Sequence, residues 1–252
     1  IAFAVACAFA GQLLELIGEK HGGGFHFVGN SSIGKSISLY IAGSVWGHDF
    51  IRSWRNTDNA MENIALLHND SLLCLDEINE AELKTIGKTV YMLANGQPKG
   101  RMTKTLVNRY APKWRVMFLS TGEQTLENYL KQAGEIVKAG QEVRLATIEA
   151  NAGQGMGIFD SLTIADTPAK QAETLRANTG KYYGVAGIEW INYLTQNKDT
   201  ATDLANDYIR AFLEQYPTID GQAKRVANRF ALVASAGELA TQAGITGWQA
   251  GQ

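Results

Sequence analysis

Cysteine is scarce. The 252 residues hold two, Cys7 and Cys74, both among apolar neighbours and without metal-ligand spacing, which points to buried thiols kept reduced in a cytoplasmic compartment. The four histidines, His21, His26, His48 and His68, form no ligand or triad spacing, so they read as structural or surface residues. An excess of one charge is also missing: 23 Lys+Arg against 25 Asp+Glu leave a formal net charge of −2. That excludes a uniformly basic nucleic-acid coat, and any such contact has to be local, on a loop or in a channel. No apolar run is long enough to span a bilayer. The opening Ile1–Ala10 is about half the roughly 20 residues that a span requires, and it continues into Gln12, Glu15 and Glu19. It reads as a buried helix ending near Gly18, not as a signal peptide or a membrane segment. Internal repeats and low-complexity tracts are absent as well.

What is present is an ordinary globular composition, 45% hydrophobic and 19% charged, in a chain long enough for one large domain or a core with an appendage. It opens without Met and in mid-helix, so the expectation is a piece of a longer protein. Short apolar runs at 24–28, 72–75, 114–119 and 142–148 suit buried strands. Helical patterns lie between them, at 36–46, 60–68 and 82–94. Strands alternating with helices predict an α/β fold with a mainly parallel sheet covered on both faces. After the Gly-rich stretch Asn151–Gly157 only helical patterns follow, at 166–178, 184–195, 200–215 and 221–243. The expected division is a core over 1–160, with residues 1–18 as its packing helix, and a helical lid subdomain over 161–252.

Gly29-Asn30-Ser31-Ser32-Ile33-Gly34-Lys35-Ser36 satisfies the phosphate-loop pattern G-x-x-x-x-G-K-[ST] between a strand and a helix. Glycines let backbone N–H groups curl round phosphates, and the helix N-terminus adds the positive end of its dipole. Lys35 is expected to reach the terminal phosphates, and the Ser36 hydroxyl to bind Mg²⁺. Leu72–Leu75 then delivers Asp76 and Glu77 at a strand end. Asp76 is assigned to Mg²⁺ through water, and Glu77 to polarising the attacking water as general base. A carboxylate placed for water activation suits ATP hydrolysis, and a small-molecule kinase needs none there.

Further along, Ser120 and Thr121 end a strand where a hydroxyl orients the lytic water or senses the terminal phosphate, unless the Ser-Thr-Gly simply turns the chain. Ser120 is the candidate taken as catalytic. Arg144 stands where multisubunit ATPases often project an arginine into the neighbouring subunit's nucleotide, the alternative being a surface arginine. Arg225 and Arg229, four apart on one helix face, are candidates for phosphate contact from the lid, or else solvated charges. Lys99, Arg101 and Lys104 form a basic loop at a point where ring motors grip nucleic-acid backbone, or a solvated loop. Trp54 and Arg55 look specialised, without an assignable role.

These residues resemble a known family. The strings Phe27-Val28-Gly29-Asn30-Ser31-Ser32-Ile33-Gly34-Lys35-Ser36, Trp54-Arg55-Asn56-Thr57-Asp58-Asn59 and Leu75-Asp76-Glu77 are similar to the bacterial domain of unknown function 927. So are Met92–Gln97, Leu119–Glu123, Ala139–Leu145, Arg229–Leu232 and Ala236–Ala240, which together reach across nearly the whole chain. The family occurs in plasmid, phage and mobile-island proteins, often after a primase-type domain, and is regarded as a replicative-helicase-like ATPase of the AAA+ class. The resemblance implies a three-layer P-loop core, a homo-oligomeric, hexameric ring, and Arg144 as the inter-subunit finger. It also implies ATP and Mg²⁺ as cofactors, and single-stranded DNA in the channel. Pro98 departs from the family by stiffening a loop that it tends to keep small and flexible.

The leading expectation is therefore an ATP-driven DNA helicase or translocase domain of mobile-element replication, with no membrane partner. The alternatives are an assembly ATPase that gates partner or DNA loading without translocating and, disfavoured by Glu77, a small-substrate phosphotransferase.

Overall fold

The computed structural model describes residues 1–98, 112–135 and 139–251. Five strands form one sheet in the order β2-β3-β4-β1-β5: β1 Gly23–Val28, β2 Ile51–Ser53, β3 Ser71–Asp76, β4 Val116–Gly122 and β5 Leu145–Glu149. Every pairing is parallel. Parallel strands need crossover connections, and the helices that make them cover both faces. Strand alternation sorts the side chains accordingly. Phe25, Phe27, Leu72, Cys74, Met117 and Leu119 join the core under α1 (Ala2–Leu16) and α2 (Lys35–Ser44). Leu73, Leu75, Val116 and Phe118 join the opposite core under α3 (Asp58–Leu67), α4 (Leu83–Asn95) and α5 (Leu126–Gln132). The result is the three-layer α/β architecture of a P-loop NTPase.

Four of the strands lie where apolar runs predict them. The fifth, β2, is a three-residue edge strand next to a stretch that reads as polar, and α5 gives no sequence signal of its own. Residues 142–144 do not start a strand. Glu142 ends the short helix α6 (Ala139–Glu142), and Arg144 stands just before β5. The C-terminal helices follow their periodicity closely: α7 Pro168–Thr179, α8 Val185–Gln196, α9 Lys198–Glu214 and α10 Gly221–Gln242. Thr167 and Asp220 cap α7 and α10 with side-chain oxygens.

Helix α1 links these helices to the sheet. Phe3 meets Phe25 edge-on at 4.8 Å and Phe230 of α10 at 5.6 Å. Trp190 of α8 donates to the Phe9 carbonyl at 3.0 Å, and Trp46 at the end of α2 donates to that of Ala8 at 2.9 Å. Close approach to the sheet depends on Gly11, where an added Cβ would lie 2.6 Å from the Ser71 carbonyl carbon. Glycine in a helix interior ordinarily costs stability relative to alanine, so this contact reverses the sign. Gly11→Ala should destabilise the protein by roughly 1–3 kcal/mol through overpacking, seen as a lower urea midpoint at unchanged m-value.

Candidate functional site

At the carboxyl ends of β1, β3 and β4 the chain gathers a nucleotide-type site. Gly29 follows β1, Gly34 turns into α2 with φ +99°, a conformation that suits glycine, and α2 begins at Lys35 with no side-chain cap. Its first N–H groups are thereby left for an anion. Lys35 is buried, and its Nζ donates to the carbonyls of Gly29 at 2.8 Å and Asn30 at 2.7 Å, inside the curl of the loop. From outside, the Gly-rich stretch after β5 braces the loop: the Ile158 N–H donates to the Ile33 carbonyl at 2.9 Å.

Asp76, the last residue of β3, accepts on Oδ1 from the Ser36 hydroxyl at 3.0 Å and from the Thr121 hydroxyl. Thr121 Oγ1 in turn accepts the Glu77 N–H at 3.1 Å. Glu77 adopts φ +55°, which is uncommon for a residue with a side chain and sends the chain away from the sheet immediately after Asp76. Partial burial, then the neighbouring Asp76, push the Glu77 carboxyl above the usual glutamate range, with Lys35 opposing. The donor set fits a hard divalent cation, since a hydroxyl and a carboxylate face each other beside the phosphate loop. Ser36 and Asp76 would hold it.

The hydroxyl at this site is that of Thr121, and Ser120 is directed elsewhere. Consecutive strand residues face opposite sides, so Thr121 shares the Asp76 face and Ser120 enters the other core, fully buried. There its Oγ accepts from Trp54 Nε1 at 2.9 Å and lies 3.0 Å from His26 Nδ1. His26 Nε2 lies 2.9 Å from the Gln124 carbonyl. A carbonyl can only accept, so Nε2 carries the proton and Nδ1 accepts from Ser120. The catalytic assignment of Ser120 thus gives way to a positioning one, and Trp54 gains a role that its sequence context does not reveal.

The arginines lie elsewhere than a single site requires. Arg225 and Arg229 line a cavity at the amino end of the sheet, where Arg229 donates to the Val143 carbonyl at 2.9 Å and packs on Gly23. The length of β1, roughly 16 Å at about 3.3 Å per residue, separates Gly23 from the phosphate loop. The expected lid contact to this chain's own nucleotide is therefore corrected. Arg144 stands at that same end, bonded to Asn95 Oδ1 at 3.0 Å and the Gly140 carbonyl at 2.6 Å, with its guanidinium 4.2 Å from the Tyr91 ring centre. The cation that α7 does bring near the acidic pair is Arg176. It stacks on Tyr40 of α2 and lines a cavity of about 310 Å³ with Arg52, Asp76, Glu77 and Glu80. Lys99, Arg101 and Lys104 lie outside the described residues. No described helix is long and apolar enough to cross a membrane.

Burial pulls the His26 pKa down to about 4 from 6.5, so the folded chain binds this proton more weakly than the unfolded one. Stability present at neutral pH should fall by about 3 kcal/mol as pH drops from 6.5 towards 4. His26→Gln should flatten that part of a melting-temperature profile against pH, and an unchanged slope would remove His26 as its origin.

Residues 1–109 match the model of the family described as Domain of unknown function (DUF927). The match stops short of the family-like strings at 119–145 and 229–240. No curated protein matches the chain. A solved structure titled "SCCmec type IV Cch - active helicase" superposes with a TM-score of 0.73 at 19% identity, covering 96% of this chain and 42% of that one. That likeness carries the fold through to the C-terminal helices, and the chain spans less than half the length of the helicase it resembles. The family that the phosphate-loop, Trp54–Asn59 and Asp76–Glu77 strings suggest is thus the one matched over residues 1–109, Domain of unknown function (DUF927).

Proposed function

We propose that this chain is an ATP-hydrolysing motor domain, part of a hexameric ring that translocates on single-stranded DNA in plasmid, phage or mobile-element replication. The observation that carries the reading is the sharing of Asp76 by Ser36 and Thr121 directly beside Glu77. It ties loop, metal carboxylate and water-facing strand end into one unit. The solved neighbour, titled an active helicase, supports the motor assignment.

In this reading the loop N–H groups and Lys35 bind the phosphates of ATP. Bound Mg²⁺ supplies charge neutralisation of the terminal phosphate oxygens. Ser36 and Asp76 orient the cation side of the site. Glu77 accepts the proton of the attacking water, a task helped by a carboxyl basicity raised above that of an ordinary glutamate. Thr121 fixes the Asp76 and Glu77 backbone geometry and faces the water. Arg144, too far from this chain's own loop, serves the nucleotide of a neighbouring subunit, so that hydrolysis is shared across an interface. Residues 1–160 form the ATPase core in this scheme and residues 161–252 a helical unit linked to it through α1. A primase domain, on the same or a partner chain, is the accompanying activity.

Glu77→Gln should keep nucleotide affinity and lower turnover by about 10²-fold or more, measured as kcat in single-turnover ATP hydrolysis; turnover near wild type would refute the base assignment. Single-stranded DNA should stimulate the ATPase of the oligomeric protein. Indifference to every nucleic acid tried would sink the motor and favour an assembly ATPase that gates loading.

A further inference from the structure

Three arginines gather round one cavity away from the phosphate loop. At the amino end of the sheet a cavity of about 550 Å³ is lined by Arg144, Arg225, Arg229, Asn95, Asn206 and Asn228, drawn from the turn before β5 and from α4, α9 and α10. Glu19 is the single carboxylate on its wall, and among the described residues it makes no ion pair with any of the three arginines. None of the residues outside the described ones carries an acidic side chain.

Arg229 is the residue that makes this arrangement a constructed one. Its guanidinium occupies the space beside Gly23 in which any Cβ would collide, at 2.2 Å from Nε. Nη1 donates to the Val143 carbonyl at 2.9 Å, Nε and Nη2 lie against Gly23, and the side chain forms part of the cavity wall. Desolvation lowers its pKa to about 10, the charge of Glu19 opposes that shift in part, and the like charge of Arg144 adds to it. Burying a cation without a bonded counter-charge costs free energy. Placing a second and third guanidinium nearby adds to that cost, and a polyanion in the cavity would reverse it. Guanidinium forks match phosphate oxygens bidentately, and asparagine amides extend the donor set. The volume lies in the range of small-molecule sites and admits a mononucleotide.

We infer that the cavity between the segments leading into β1 and β5 and helices α4, α9 and α10 is a second anion site, which binds a polyphosphate or nucleotide independently of the phosphate loop. Arg225 and Arg229 grip the phosphates, and Arg144 at the rim links this site to the face assigned above to a neighbouring subunit. Occupancy would draw Arg144 away from, or fix it against, Asn95 and Tyr91, so the ligand would regulate how that arginine is presented.

The test uses pyrophosphate and ATP in calorimetric titrations of the oligomeric protein. Wild type should show two binding events per chain, and Lys35→Ala one. A neighbour's loop-bound nucleotide cannot supply that remaining event, because Lys35→Ala disables every loop. In the Lys35→Ala background, exposed Arg225→Ala and the charge-conserving Arg229→Lys should each weaken it at least tenfold, with melting temperature and circular dichroism retained. Absence of any binding to Lys35→Ala, or residual binding indifferent to both arginine changes, would overturn the second site. Two events surviving in Lys35→Ala would instead count against the phosphate-loop assignment and leave the cavity supported.

Discussion

Asp76 accepts two hydroxyls at once, that of Ser36 from the start of α2 and that of Thr121 from the end of β4, and this shared acceptor depends on the parallel register of three strands. Cys74 pairs with Leu119, and Phe27 with Thr121, so β1, β3 and β4 run out together. The phosphate loop, the acidic pair and Thr121 consequently emerge on one rim. A parallel sheet buried on both faces has little freedom to slip, because a one-residue shift would exchange its two cores. The site inherits its precision from that packing.

The same alternation gives the two faces of β4 different work. Thr121 serves the polar rim. Ser120 anchors a chain of buried hydrogen bonds through Trp54 and His26 to the Gln124 carbonyl. Buried polar groups that are fully partnered specify one arrangement of the core, and here they hold the turn after β4, which lies beside Glu77. The basis for keeping His26 neutral is structural. Its Nδ1 must accept and its Nε2 must donate, and burial disfavours the imidazolium that would break the pattern.

The two ends of the sheet also differ in charge. Acidic groups and the phosphate loop stand at the carboxyl ends, together with Arg176 and Arg52. Arginines 144, 225 and 229 collect at the amino ends, beyond reach of the same chain's loop. An ATPase whose active sites are completed between subunits would use such a polarity directly, because the face that lacks phosphates carries the cations. Helix α1 makes the polarity rigid by packing against α10 on one side and the sheet on the other.

Much of this was legible in the residue order. Gly29–Ser36 follows a short apolar run and precedes helical periodicity, and the local chemistry of such a loop requires no distant contact to be read. The strand that ends in Asp76 just before Glu77, the end of α4 at Asn95-Gly96 and all four C-terminal helices are likewise set by local patterning and capping. What needed the tertiary structure were the relations between distant segments. Whether Ser120 or Thr121 faces the site depends on which sheet face is the rim, and Trp54 acquires its partner only when β2 docks beside β3. Arg229 reads as a lid residue because it lies on a late helix, yet α10 folds back under α1 to the amino end of β1. Periodicity names the face a residue occupies on its own element, while the packing of elements decides what that face meets.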